Sequence, residues 1–383
     1  MDLELTSDQE LFRDTTRRFL QAEASLTRVR EWADTPVGFD RAWWARGAEL
    51  GWTSLLVSEE RGGGSVSGQG LCDLALVAEE MGALVSPGPL SPVNVVAETI
   101  SRDGSDELAD RLLPGLLNGA SIAAWCVAEP GRAAREEEVG LLARADGDEF
   151  VLTGVKSPVE AGADATWLLV AARTPDGLTQ FIVPADAPGL DVTRLHGLDL
   201  VRRHARVRFD HVRVPRSAVV GQPGVAAEAF ERQLRTALIL QCAETVGAAE
   251  RVFDFTVRYA FDRHTFGRAL ASYQALKHRF ADMKMWLESA MAITVDATRS
   301  VQAGADDAGE MARVAKAYVG DRCPELIQDC VQMHGGIGVT WEHDIHLYLR
   351  RAVLHREIYG DPTEHRDQVT SPAASGAPEK SHA

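Results

Sequence analysis

The chain changes texture twice, and the order of those textures limits the folds open to it. From about residue 5 to residue 120 apolar residues recur at helical spacing, beginning with SDQELFRDTTRRFLQAEA. Between 121 and 215 short β-branched and apolar runs such as EFVLTGVK, TWLLVAAR and LTQFIVPA alternate with Gly, Asp and Pro. Beyond Gly224 the helical period returns in segments long enough for an antiparallel bundle. This order predicts an N-terminal all-α domain (1–120), a central β-barrel or sandwich domain of about six to eight strands (121–218) and a C-terminal four-helix bundle (219–368). Residues 369–383 are small and polar, cannot offset their own ordering entropy, and read as a mobile tail.

Local signals refine this. Ser7 stands three residues before Glu10 and reads as a capping box at the first helix. Gly62 to Gly70, GGGSVSGQG, is too rich in glycine for a helix and reads as a loop. RHARVRF at 203–209 reads as an alternating strand with one solvated face.

Charge and cysteine usage exclude several functions. Lys and Arg total 40 against 56 for Asp and Glu, a formal charge of −16, and such a field repels phosphate backbones, so nucleic acid is not an expected partner. No apolar run approaches the roughly 18–20 residues that span a bilayer, and the first residues are acidic, so a soluble, cytoplasmic protein without a membrane role is expected. Five cysteines with no two-residue spacing argue against zinc and structural disulfides. Cys323 and Cys330, seven apart, read as buried small hydrophobes. His343 and His346, three apart on an expected helix, have no third ligand, so no metal site is expected.

Several positions suggest a ligand site. Arg263 precedes a tight Phe266-Gly267 turn, where its guanidinium could hold a bidentate partner such as a pyrophosphate. Gln274 starts the next helix. Gln332 lies in the last turn of a later helix, and Gly335 and Gly336 follow it, where absent side chains let a ligand or another backbone approach closely. Glu244 sits in the apolar run ALILQCAETVGAA, where a carboxylate needs a partner or a raised pKa.

RHTFGRALASYQALKHRFADM at 263–283 and QMHGGIG at 332–338 resemble two signature segments of the acyl-CoA dehydrogenase family, and the resemblance extends to LVAEEMG at 76–82 and the GVK turn at 154–156. It implies an FAD-dependent α,β-desaturation of an acyl-CoA thioester, usually with an electron-transfer flavoprotein as acceptor. It also implies that Arg263, Phe266, Gln274, Gln332, Gly335 and Gly336 hold the adenosine-pyrophosphate end of the FAD of a neighbouring subunit.

The sequence departs from the family elsewhere. CVAEPGRA at 126–133 has Ala128 where a Thr is usual and lacks the following Ala-Gly-Ser-Asp. KSPVEAG replaces the segment that places an aromatic residue and a Thr against the flavin, and Glu160 there would repel a reduced flavin. REIYGDPTEHRD places Tyr359 where the family has its catalytic Glu, and a phenol with a reference pKa of about 10 is a poor base. The second family position for the base falls near Ala237. Glu244, two turns or about 10.5 Å further on the same face, and Glu357 and Asp361, both close to Tyr359 in sequence, are the remaining candidates.

Retention of the half-site offered to a neighbour, with loss of the chain's own half and base, implies a subunit of a heteromeric enzyme, resembling the subunits of actinobacterial α2β2 acyl-CoA dehydrogenases that act on bulky or steroid-derived thioesters. Two alternatives remain: a self-sufficient homotetramer using Glu244 or Asp361, and a non-catalytic acyl-CoA binding or assembly protein. Arg350 and Arg351 are expected to serve a salt bridge or a partner interface.

Overall fold

The computed structural model describes residues 5–370 of the 383. Of the expected tail, residues 371–383 lie outside the described part, and residues 369 and 370 close the last helix.

Six helices come first: α1 (Ser7–Glu23), α2 (Leu26–Ala33), α3 (Arg41–Glu49), α4 (Gly70–Ala83), α5 (Leu90–Asp103) and α6 (Asp106–Leu117). The cap of α1 is Thr6, one residue earlier than expected. Its hydroxyl accepts from Gln9 N while the Gln9 side chain accepts from Thr6 N, so Thr6 and Gln9 form the capping box instead of Ser7 and Glu10. Ser25, Asp40 and Ser105 cap α2, α3 and α6 through side-chain oxygens. Trp43, Trp44 and Trp52 are fully buried and form the centre of this part, with Trp43 and Trp52 edge to face at 5.9 Å. The glycine-rich segment runs as a loop to Gln69 and is fastened by buried Asp73. That carboxylate accepts from Val66 N, Ser67 N, the Ser67 hydroxyl and Gln9 Nε2.

The sheet domain holds β1 (Ala123–Cys126), β2 (Leu142–Asp146), β3 (Glu149–Glu160), β4 (Trp167–Thr174), β5 (Gly177–Pro184), β6 (Leu190–Leu195), β7 (His204–Pro215) and β8 (Val219–Val220). The order is β6-β7-β3-β2-β4-β5-β8, with β1 parallel beside β4. Only Leu142 and Arg173 join β2 to β4, so the sheet folds over at that seam. Its two halves enclose a separate core that includes Leu152, Phe181 and Phe209. β7 alternates as expected, with Ala205, Val207 and Phe209 inward and Arg206 and Arg208 outward. KSPVEAG begins inside the sheet: Lys156 to Glu160 finish β3, paired to β7.

The chain then forms α7 (Ala227–Asp262), a hairpin of β9 (His264–Thr265) and β10 (Arg268–Ala269), α8 (Gln274–Ala303), α9 (Ala308–His334), α10 (Ile345–Glu357) and α11 (Pro362–Thr370). Helices α7 to α10 form the bundle, and α11 lies on α9. Cys323 and Cys330 are buried free thiols in α9, packed as small hydrophobes. The bundle meets the N-terminal part where α4 crosses α7. A Cβ on Gly82 would lie 1.9 Å from Glu244 O, and one on Gly247 would lie 2.0 Å from Glu79 O. Two backbones therefore touch there, which no other residue type permits.

Candidate functional site

The six residues expected to meet a neighbour's cofactor lie at one end of the bundle. Arg263 follows the last residue of α7, and Phe266 and Gly267 make the turn of the β9–β10 hairpin at φ +51° and +81°. Gln274 is the first residue of α8, Gln332 lies in the last turn of α9, and Gly335 and Gly336 follow α9. All six are exposed, Phe266 by 98%. A Cβ added at Gly267, Gly335 or Gly336 would meet nothing within 4 Å, so this backbone is bare. Tyr259 of α7 stacks on His334 at 4.4 Å and its hydroxyl donates to His334 O, which ties the hairpin end to the glycine turn. Phe261, Ile337, Val339 and Trp341 add exposed apolar surface to the same region. His343 precedes α10 instead of sharing a helix with His346, and its Nδ1 accepts from Ile345 N.

The region expected to form the chain's own half of the site differs sharply. Where β1, β5, α5 and α7 meet, Gln233 sits fully enclosed. Its Oε1 accepts from Trp125 Nε1 at 2.9 Å and from Gln180 Nε2 at 2.7 Å, and its Nε2 donates to the Thr99 hydroxyl and to Gln180 Oε1. Trp125 lies between Phe230 at 6.3 Å and Tyr359 at 5.2 Å. Tyr359 has a φ of +65°, and burial pushes its phenol up, aided by Glu160, which removes it further from service as a base. Ala237, at the second base position, is fully buried among apolar neighbours. The retained Glu-Pro-Gly turn has a structural use. Glu129 accepts from Gly140 N, Leu141 N and, at 2.7 Å, from Lys156 Nζ, a fully buried ammonium whose pKa burial lowers against the pull of Glu129.

Of the carboxylates weighed as relocated bases, Glu357 is exposed and pairs with Arg356 at 3.5 Å, and the other two are engaged. Asp361 Oδ1 accepts from Thr363 N and Glu364 N, and Glu364 returns a bond to Asp361 N, so Asp361 caps α11. Those backbone donors hold its carboxyl below the ordinary value. Glu244 Oε1 accepts from both Arg202 and Arg351. Arg351 is fully buried and also binds Asp199, while Arg202 binds Glu160. The result is a chain of three carboxylates and two guanidiniums that joins β3, the segment before β7, α7 and α10. Burial would raise the Asp199 carboxyl, but Arg351 together with the backbone N–H groups of Arg202 and Val201 outweighs it and the pKa falls. His355, against Thr245 at 2.9 Å, is driven well below its ordinary value by burial and then by Arg351 and Arg202, so it is neutral. Arg351 thus serves buried salt bridges, and Arg350 donates to Leu198 O.

Sequence reading missed Asp199 and Arg202 in this chain and Lys316 of α9, whose Nζ donates to Gln241 Oε1 and to the carbonyls of His355 and Ile358, fixing the approach to Tyr359. Nothing local marks them, because every partner is distant in sequence.

A cavity of about 610 Å³ lies between α1, α4, α7 and α8 and is lined in part by Glu79. Burial and then Glu250 and Glu80 push the Glu79 carboxyl up to about 7. The folded chain holds this proton more tightly than the unfolded chain, so stability is lost as pH rises from about 4.5 to 7. Glu79→Gln is expected to raise stability at pH 8 by about 1–2 kcal/mol, allowing for the side chain's partial exposure, and to change nothing at pH 4. Thermal melts at the two pH values check this, and equal effects at both refute it.

Residues 6–120, 124–212 and 219–371 match the family models of the acyl-CoA dehydrogenase N-terminal, middle and C-terminal domains. Acyl-CoA dehydrogenase IpdE2 of Mycolicibacterium smegmatis is 29% identical over 363 residues, covering 94% of this chain and 97% of that protein. Acyl-CoA dehydrogenase FadE12 of Mycobacterium tuberculosis is 30% identical over 324 residues, 82% of each. The solved steroid ACAD Tcur3481-Tcur3483 superposes with a TM-score of 0.87 at 29% identity, covering 96% of this chain and 98% of that one. Among the described residues, no helix is long and apolar enough to cross a membrane.

Proposed function

The chain belongs to the acyl-CoA dehydrogenase family of FAD-dependent oxidoreductases, and from that premise we propose that it is the subunit of a heteromeric acyl-CoA dehydrogenase that completes an interfacial FAD site for a catalytic partner. One observation carries this reading: the interior beside the base position is filled by the chain's own Trp125, Phe230, Gln233 and Tyr359. The similarity to a steroid ACAD named as a pair of proteins supports it, and a bulky or steroid-derived acyl-CoA thioester is the proposed substrate.

Bound FAD supplies a hydride acceptor for the β-carbon of the thioester. The residues that would hold it here fit an adenosine-pyrophosphate. Arg263 offers a fork of donors to two phosphate oxygens, Gly335 and Gly336 leave the main chain open to contact, and Phe266 offers an apolar face. Gln274 and Gln332 offer amide donors from the adjoining helix ends. The α-proton of the substrate is taken by the partner, because the candidate carboxylates of this chain are engaged: Asp361 caps a helix and Glu244 neutralises buried guanidiniums. An electron-transfer flavoprotein is the proposed acceptor.

The test is the flavin-to-protein ratio by absorbance and native mass spectrometry. Expressed alone the chain is expected to be colourless, and co-expressed with a neighbouring acyl-CoA dehydrogenase gene to give a yellow complex with one FAD per pair. About one FAD per chain when expressed alone, with turnover abolished by Glu244→Gln or Asp361→Asn, would instead establish the self-sufficient homotetramer. Thioester binding without bleaching of bound flavin would establish an assembly protein.

A further inference from the structure

A cavity of about 490 Å³ opens between α4, α5, α7 and the end of α8, on a different face of α7 from the packed interior around Gln233. Its lining is richer in cations than the protein as a whole. Three guanidiniums line it, from Arg102, Arg232 and Arg235, against two acids, Glu98 and Glu228, in a chain whose formal charge is −16.

The three arginines differ in how they are paired. Arg232 binds Asp103 and stands 3.8 Å from Glu98. Arg102 has only a 3.8 Å approach to Glu98 and is mostly exposed. Among the described residues, Arg235 has no hydrogen-bond or ion-pair partner, and its Nε is buried without an acceptor beside Gly309. Arg235 is only half-buried and lines the cavity, so its guanidinium keeps donors that no protein acceptor takes, and a ligand carboxylate would bind them. Glu98 is a weak competitor for that place, because burial pushes its carboxyl up and Arg232 and Arg102 only partly oppose this. Leu55, Leu56, Leu71 and Val301 supply the apolar part of a lining that is otherwise polar. A concave site that combines some apolar lining with converging polar groups is a form that small-molecule sites take.

We propose that this cavity binds a small free carboxylate with an apolar body, its carboxylate held by Arg235 with Arg102 at the mouth and its hydrocarbon part lying along Leu55, Leu71 and Val301. Planar bidentate pairing suits a carboxylate, and the cavity volume accommodates a body of one or two rings. The site uses none of the residues assigned to FAD, so it stands or falls separately from the proposed subunit role.

Calorimetric titration of the full chain, or of its complex if it purifies as one, with 3-cyclohexylpropanoate tests this, with 3-cyclohexylpropan-1-ol as the neutral counterpart. The acid is expected to bind at least tenfold more tightly than the alcohol, and Arg235→Met to weaken the acid at least tenfold without lowering the melting temperature. Equal binding of acid and alcohol, no heat with the acid at millimolar concentration, or unchanged affinity in Arg235→Met overturns the proposal. If Arg235→Met does not fold, Arg102→Ala decides at the exposed mouth: a three- to tenfold loss for the acid supports the site, and no loss overturns it.

Discussion

Arg351→Met is expected to lower the stability of the chain by about 3–5 kcal/mol, because it leaves Glu244 and Asp199 charged in a dry interior with one guanidinium fewer. Arg351 is fully buried and Asp199 nearly so, so water cannot replace the lost partner. A typical domain has only about 5–15 kcal/mol in total, so the variant should unfold at much lower urea or fail to accumulate. Adding Glu244→Gln to Arg351→Met should recover part of the loss, because it removes one orphaned charge. Arg366→Ala, which breaks a bridge to Asp321 whose arginine is half exposed, should cost less than about 1 kcal/mol. Equal urea midpoints for Arg351→Met and Arg366→Ala would show that the buried chain of charges contributes nothing beyond a surface pair.

The second large effect concerns cofactor retention. In the co-expressed complex, Arg263→Ala is expected to weaken FAD binding by at least tenfold, since one hydrogen bond to a charged group contributes about 1.5–3 kcal/mol. Tyr359→Phe in the same complex should leave flavin content and turnover within about twofold, because the phenol takes no part in proton removal. Flavin fluorescence during dilution, together with turnover of the intact complex, measures both. Full flavin retention by Arg263→Ala, or loss of turnover in Tyr359→Phe, would contradict the division of the site between two chains.

The sequence was most informative where structure depends on near neighbours. Helical periods, alternating strands such as β7, the Phe266-Gly267 turn and the glycine pair after α9 all lie within a few residues of what defines them. The α1 cap shows the limit of even that: Thr6 and Ser7 are both good caps, and the choice fell to Gln9, which also reaches Asp73 across the fold. Pairings across long separations left no local trace. Arg351 meets Asp199 across 152 residues and Lys316 meets Gln241 across 75. Glu160 stood out as a charge misplaced beside a flavin, yet it faces Arg202, 42 residues away. The unpaired state of Arg235 was equally invisible, because it depends on what every neighbouring element fails to supply.

The contact between α4 and α7 limits how the molecule can respond to assembly. With Gly82 and Gly247 each letting the other helix's main chain come into direct touch, neither helix can slide or rotate without collision, so this seam acts as a fixed datum. Rearrangement on meeting a partner is left to elements away from it, foremost the β9–β10 hairpin and the turn after α9. Hydrogen exchange should therefore change at those two places while the amides of α4 and the middle of α7 keep their protection.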